Sequence, residues 1–365
     1  MIAFDEAVNE RCLPAAERAA VLTSPPGFGQ VFTDHMVTVR WTRERGWHDG
    51  RLEPYGPFTL LPATSVFHYG QAIFEGMKAY RQDGGSIALF RPRANAERFN
   101  RSARRLAMPD LPVDTFVEAI ELLVARDREW VPEGWGRSLY LRPFMIATQP
   151  GLGFTHPSSE YLFCVIASPV APYFGPAGPR ALTVWLCADY VRAAPGGTGA
   201  AKAAGNYAAA FVASQQAAEE GCDQVVWLDA AEHAWVEEMG GMNLFFVYGG
   251  DRPRLVTPAL TGALLPGVTR DSLLTLARDL GMEAAEGRVS AARWRTDCES
   301  GALTEVFACG TAAVVAPVGE VRSRAGGWRV GDGTPGPVMR RLHHELLSIQ
   351  YGRRSDPFDW VHKVC

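Results

Sequence analysis

The segment PVAPYFGPAGPR at 169–180 constrains the fold more than any other, because its four prolines and two glycines interrupt any helix or strand that would cross it. The chain has 365 residues, too many for one ordinary domain and well matched to two. The expected division is a domain over 1–170, a linker over 171–180 and a second domain over 181–365. Residues 31–43 read as a strand. EGMKAYR and SIALFR read as two strands joined at Asp83-Gly84-Gly85, and Pro92 opens a helix reaching about Leu106. Asp114 is the expected cap of a helix over 115–130, and strands follow over 137–148 and 161–168. Beyond the linker come a strand (181–188), a Gly/Ala-rich loop (193–205), a helix (206–220), strands over 223–229 and 243–248, and a helix from about Val268. The Gly-rich stretch 322–337 reads as a surface loop. This order predicts an α/β or α+β fold.

Charge and composition narrow the function. Net charge is -4, the pI is about 6.1, and no Lys/Arg run marks a nucleic-acid surface. No run of roughly 18 apolar residues predicts a membrane span. The start, MIAFDEAVNERCLPAAERAA, lacks the apolar core of a signal peptide, so a cytoplasmic protein is expected. The seven cysteines include no C-x-x-C pair and the eight histidines are scattered, so no metal site is expected. Most of the cysteines are expected to be small buried hydrophobes in a reducing compartment.

Only three lysines, Lys78, Lys202 and Lys363, occur among 36 basic residues. Arginine stays protonated, whereas a lysine can lose its proton and act as an amine nucleophile. Lys202 lies in GGTGAAKAAGNY at 196–207, where small neighbours leave room for a planar group and partial desolvation would favour the neutral amine. Taken alone, the segment better describes a solvated lysine on a flexible loop, because lysine is mostly exposed. A phosphate-binding P-loop is excluded in detail, since Ala201 precedes the lysine where Gly is required and Ala203 follows where Ser or Thr is required.

The same segment resembles the lysine loop of the branched-chain aminotransferases, which belong to the class IV (fold-type IV) enzymes dependent on pyridoxal 5'-phosphate (PLP). The resemblance runs from about Phe28 to Arg353. It recurs in FGQVFTDHM (28–36), HYGQAIFEGMKAY (68–80), LYLRPF (139–144), EEMGGMNLFF (237–246), LLPGVTRDSLL (264–274) and GTA (310–312). It is nearer to the group holding the animal and actinobacterial enzymes than to the other bacterial group. It implies two α/β domains with PLP at their interface and a homodimer in which residues near Tyr69 and in the 150s reach the neighbour's site. The implied reaction moves the amino group of leucine, isoleucine or valine to 2-oxoglutarate.

The resemblance also implies roles. Lys202 holds PLP as a Schiff base and then acts as the base and acid that move the substrate's proton. Glu238, with Glu237 as the nearest misassignment, pairs with the pyridine nitrogen, and Tyr207 bonds the ring hydroxylate. Arg98, the N–H groups of Val268 and Thr269 at a helix start, and the Thr311 hydroxyl hold the phosphate. Phe28, Tyr69, Phe74, Tyr140, Arg142 and Tyr173 line the substrate pocket; Arg142 and Tyr140 take the distal carboxylate of glutamate, and Thr311-Ala312 the α-carboxylate. Three departures stand out. Gly241 replaces a threonine of many relatives beside the phosphate and substrate, Ala313 and Ala316 replace a redox C-x-x-C of some animal relatives, and Ala203-Ala204 replaces a pair containing Gly. The same scaffold also serves D-amino-acid aminotransferases, aminodeoxychorismate lyases and tailoring aminotransferases for unusual apolar amino acids. A non-catalytic amino-acid sensor on it would lack the lysine or the ring-nitrogen carboxylate, and both are present here.

Overall fold

The computed structural model describes residues 2–24, 27–175, 177–250 and 252–365. Its contacts form two compact units. The first comprises Met1–Pro172, Ala201–Gly205 and Ser348–Cys365; the second comprises Tyr173–Ala200 and Asn206–Leu347. The expected contiguous division into 1–170 and 181–365 is corrected at two places. The lysine segment 201–205 and the C-terminal segment 348–365 belong with the first unit. The reason is hydrogen bonding: Ala203 bridges to Ile73, and the strand Val361–Lys363 pairs antiparallel with Ile87–Phe90. Pro176, within the expected linker, lies outside the described residues.

The first unit is built on a sheet of nine strands among the described residues. Its order is Phe4–Glu6, Gly46–Pro54, His35–Thr42, Glu160–Val170, Ser138–Ala147, Met77–Arg81, Ile87–Phe90 and Val361–Lys363, with Ala72–Phe74 also paired to Ser138–Ala147. The helices Pro92–Arg105 and Val113–Arg126 bury Ala96, Phe99 and Ala103, and Phe116, Ala119, Ile120 and Leu123. Those spacings of three and four put each set on one helix face. They pack with Met77, Ala79, Leu139, Leu141, Phe163 and Val165 in one apolar core. Strand alternation therefore turns Lys78, Tyr140 and Arg142 to the other face of the sheet.

The second unit also holds nine strands among the described residues, in the order Val236–Met239, Gln224–Leu228, Leu182–Cys187, Val314–Ser323, Leu303–Gly310, Met242–Tyr248, Arg254–Pro258 and Glu283–Gly287, with Gly326–Arg329 also paired to Val314–Ser323. A further pairing of Val236–Met239 with Met242–Tyr248 closes the first six into a ring and removes their free edges. Trp294 fills the core beneath, edge-on to Phe246 at 5.2 Å.

Three local expectations are corrected. The helix expected over 115–130 runs Val113–Arg126 and is followed by a 3-10 turn at Arg128–Trp130. Pro112 occupies the cap, so Asp114 falls in the first turn and pairs with Arg93. The helix expected over 206–220 is two pieces, Ala204–Ala208 and Phe211–Glu219. The loop expected over 322–337 contains the strand Gly326–Arg329, which folds back on Val314–Ser323 and is held by backbone bonds that its Gly-Gly-Trp-Arg sequence does not advertise. Cys164, Cys187, Cys222 and Cys309 are buried, Cys298 is half-buried, and Cys12 and Cys365 are exposed; all seven are free. Among the described residues no helix is long and apolar enough to cross a membrane, and no cluster of metal-ligating side chains occurs.

Candidate active site

The lysine segment is rich in Gly and Ala, yet its backbone is fixed from two sides. The Phe74 N–H donates to the Lys202 carbonyl at 3.1 Å. The Lys202 N–H donates to Ser102 Oγ at 2.9 Å, and that hydroxyl donates to the Arg98 carbonyl at 3.0 Å. Ala201 and Ala203 are almost fully buried, which explains the small side chains. The Lys202 amine lies 5.0 Å from the Phe74 ring centre. Lys202, Ser102 and Phe74 thus form one rigid corner.

Arg98 stands on the same helix as Ser102. Of the arginines at 98, 101, 104 and 105, only Arg98 is buried. Its Nε and Nη2 donate to the two oxygens of Glu75, each at 2.8 Å, and Glu75 is 0% exposed. Parallel bonds of this kind fix the guanidinium plane as well as its charge.

On the face of the first sheet away from the Pro92–Arg105 and Val113–Arg126 helices the Arg142 guanidinium lies 4.7 Å from the Phe74 ring centre and 5.4 Å from that of Tyr140. Arg142 Nη2 donates to the Tyr140 hydroxyl at 3.2 Å. Phe28 meets Tyr140 edge-on at 4.7 Å. Arg142 Nε is buried and finds no acceptor among the described residues. Phe28, Phe74, Tyr140 and Arg142 are therefore brought together. Tyr69 is not with them: it is 45% exposed, and its hydroxyl donates to the Leu152 carbonyl. Tyr173 belongs to the second unit, half exposed against Phe174.

In the second unit Glu237 and Glu238 are neighbours on Val236–Met239 and point to opposite faces. Glu238 is 1% exposed. Its Oε1 accepts from Leu265 N at 2.5 Å and from Asn243 Nδ2 at 3.4 Å, and Arg192 Nε lies 3.0 Å from Oε2. Arg192 also donates to the carbonyls of Gly199 (3.3 Å) and Ala263 (2.8 Å). Glu237 differs. Its Oε2 is buried with no hydrogen-bond partner among the described residues, and burial, reinforced by Glu238 and Asp229, pushes its carboxyl up to about 7. Only Glu238 has the braced, ion-paired setting that a permanent anion needs.

The loop bonded to Glu238 leads into the helix Val268–Asp279. Gly267 is its cap residue and carries no side chain to cap the first N–H groups, and Val268 and Thr269 stand at the positive end of the helix. A Cβ on Gly267 would come within 2.1 Å of Asn243 Oδ1; the bare Cα lets the loop close onto Asn243. Thr311 and Ala312, both half-buried, lie in the turn between Leu303–Gly310 and Val314–Ser323. Val314 closes that turn at φ 62°, a strained conformation for a β-branched residue. Tyr207 lies on Ala204–Ala208, and a Cβ at Gly241 would stand 3.3 Å from its ring. The departure at 241 thus gives the Tyr207 ring room.

The donor set fits PLP. A fixed lysine (Lys202), a buried braced carboxylate (Glu238), a phenol (Tyr207), a buried arginine (Arg98) and an uncapped helix start (Val268, Thr269) are all present. Sequence reasoning missed Glu75, Ser102 and Arg192. Glu75 carried a signal, a lone charge inside the apolar run AIFEGM, whereas nothing in the spacing of Arg192 or Ser102 marks them.

Residues 72–321 match the family described as amino-transferase class IV. A probable branched-chain-amino-acid aminotransferase of Streptomyces coelicolor is 59% identical over 354 residues, covering 97% of this chain and 96% of the relative. The branched-chain-amino-acid aminotransferase of Mycolicibacterium smegmatis is 52% identical over 363 residues, covering 99% and 98%. Among solved structures, the branched-chain amino acid aminotransferase of Escherichia coli matches at a TM-score of 0.72 and 27% identity, covering 90% of this chain and 99% of that one.

Proposed function

Because the chain belongs to the class IV aminotransferases, we propose that it transfers the amino group of leucine, isoleucine or valine to 2-oxoglutarate, using PLP held at Lys202. Its α/β fold is the fold-type IV architecture, and enzymes of this family use PLP. When bound, the cofactor supplies a ring that accepts the electron pair released at the substrate α-carbon. The observation that carries the reading is the fixing of the Lys202 backbone: its amide and carbonyl are both anchored, so the side chain springs from one fixed point, and its amine lies against the Phe74 ring.

Each remaining residue answers one requirement. The Lys202 amine takes the proton from the substrate α-carbon and holds it until it is returned. Glu238, braced by Arg192, would meet the ring nitrogen, and Tyr207 would donate to the ring oxygen. Arg98, the N–H groups of Val268 and Thr269, and the Thr311 hydroxyl bind the phosphate. The Thr311-Ala312 turn binds the α-carboxylate, with Gly241 leaving space beside it. Phe28, Phe74, Tyr140 and Tyr173 provide apolar surface for an aliphatic side chain, and Arg142 with Tyr140 takes the distal carboxylate of glutamate. The unused donor on Arg142 supports that last role.

The working form in this reading is a cytoplasmic homodimer. Tyr69, Leu152 and Phe154 are 45%, 63% and 78% exposed, apolar surface that a second copy would cover while bringing its own Tyr69 to the neighbouring site. Free cysteines suit a reducing compartment.

Purified protein is expected to be yellow, to lose its near-visible band on adding leucine, and to regain it on adding 2-oxoglutarate. Lys202→Ala should lower turnover by at least about a thousandfold. A protein that takes up no PLP, or a Lys202→Ala variant of full activity, would sink the reading.

A further inference from the structure

Gly76 follows the brace residue Glu75 and precedes the strand Met77–Arg81. Its φ is outside the left-handed region, so the backbone does not call for glycine there. Space does. A Cβ at position 76 would stand 2.0 Å from the Tyr140 hydroxyl oxygen and 2.9 Å from Cζ. No non-bonded carbon approaches oxygen so closely, and Tyr140 is only 8% exposed, so its ring has little freedom to retreat. The hydroxyl therefore occupies the volume of the missing side chain. In that seat it accepts the Arg142 bond at 3.2 Å and keeps its own proton for another acceptor.

Arg142 has no carboxylate partner among the described ion pairs, and its Nε is buried without an acceptor. It is held instead by the faces of Phe74 and Tyr140. Phe74 also faces the Lys202 amine, so one ring spans the distance between the reacting end of a substrate and the guanidinium. An aliphatic side chain needs only the ring surface. A distal carboxylate needs the guanidinium and the hydroxyl.

We propose that Gly76 determines dicarboxylate specificity. By leaving out a side chain it seats the Tyr140 hydroxyl beside Arg142, and that seat admits glutamate and 2-oxoglutarate to a pocket otherwise suited to aliphatic substrates. The inference rests on the proposed function and adds a positioning residue to it. Gly76→Ala keeps the amide that donates to Glu75 Oε2 at 3.2 Å, so the Arg98 brace is spared.

The test is calorimetric binding to the PLP-loaded protein of two non-reacting acids, glutarate and 4-methylpentanoate, followed by the separate half-reactions with glutamate and leucine. Gly76→Ala should weaken glutarate at least about tenfold and 4-methylpentanoate less than about threefold, since loss of a charged hydrogen bond exceeds a small change in apolar contact. Tyr140→Phe should show the same split. Adding Gly76→Ala to Tyr140→Leu should then cost glutarate binding less than about threefold beyond Tyr140→Leu alone, because the hydroxyl and the ring carbon that the new Cβ would meet are both already gone. If Gly76→Ala does not fold, the double variant should recover the fold. Equal losses for both acids, unchanged glutarate binding, multiplying losses in the double variant, or a double variant that also fails to fold each overturn the inference. A wild-type protein that binds neither acid refutes the proposed function itself; one that binds both and is indifferent to Gly76→Ala refutes the inference alone.

Discussion

Each unit carries a buried arginine–carboxylate pair, and the two are built in opposite senses. In the first unit the expected ligand-facing group is the cation, Arg98, and Glu75 is its brace. In the second it is the anion, Glu238, and Arg192 is its brace. The braces also differ in reach. Glu75 uses both oxygens on one guanidinium. Arg192 holds Glu238 and two carbonyls, those of Gly199 and Ala263, while Glu238 itself accepts from Leu265. The first pair aims a single side chain. The second ties the carboxylate proposed to meet the ring nitrogen to the loops on either side of it, including the one that leads to Val268 and Thr269.

Breaking either brace should give the largest stability effects. Glu75→Ala and Arg192→Ala each remove the oppositely charged partner of a buried charge, and each is expected to destabilise the fold by about 3–5 kcal/mol in denaturant melts. They should part company in cofactor binding. Added phosphate, which can pair with Arg98, should recover part of the loss in Glu75→Ala and none in Arg192→Ala; equal recovery would erase the distinction between the two pairs.

A smaller contrast lies in pH. Burial pulls the Lys78 amine of the first unit down to about 8 from 10.5, and pushes Glu237 of the second up to about 7 from 4.5. For Lys78 the unfolded chain binds the proton more tightly, so its contribution to stability rises between pH 8 and 10.5. For Glu237 the folded state binds the proton more tightly. Its contribution is fully present below pH 4.5 and is lost as pH rises through about 7. Lys78→Met should flatten the alkaline rise and Glu237→Gln the fall near neutrality, each by on the order of 2 kcal/mol in melts across pH. A Glu237→Gln variant that keeps the fall would assign it to another group.

Local signals made much of the first unit legible. Asp83-Gly84-Gly85 marked the turn between Met77–Arg81 and Ile87–Phe90, Pro92 marked a helix start, and YLFCVIAS marked a buried strand. Long-range pairing was not legible. The return of 201–205 to the strand Ala72–Phe74 depends on backbone bonds to Ile73 and Phe74, far away in sequence. The site divides the same way. Residues that would touch a ligand, such as Lys202, Glu238 and Arg142, carry their chemistry in their own side chains and stood out by type and motif. Their supports did not. Arg192 is one arginine among many until folding places it 3.0 Å from Glu238, and Gly76 is one glycine in a motif until the Tyr140 hydroxyl fills its missing side chain.

The three lysines allow the most direct test. Borohydride reduction of the PLP-loaded protein, followed by peptide mass analysis, should find the cofactor attached to the peptide containing Lys202 and to no peptide containing Lys78 or Lys363. Attachment at Lys78, or no attachment at all, would contradict the account.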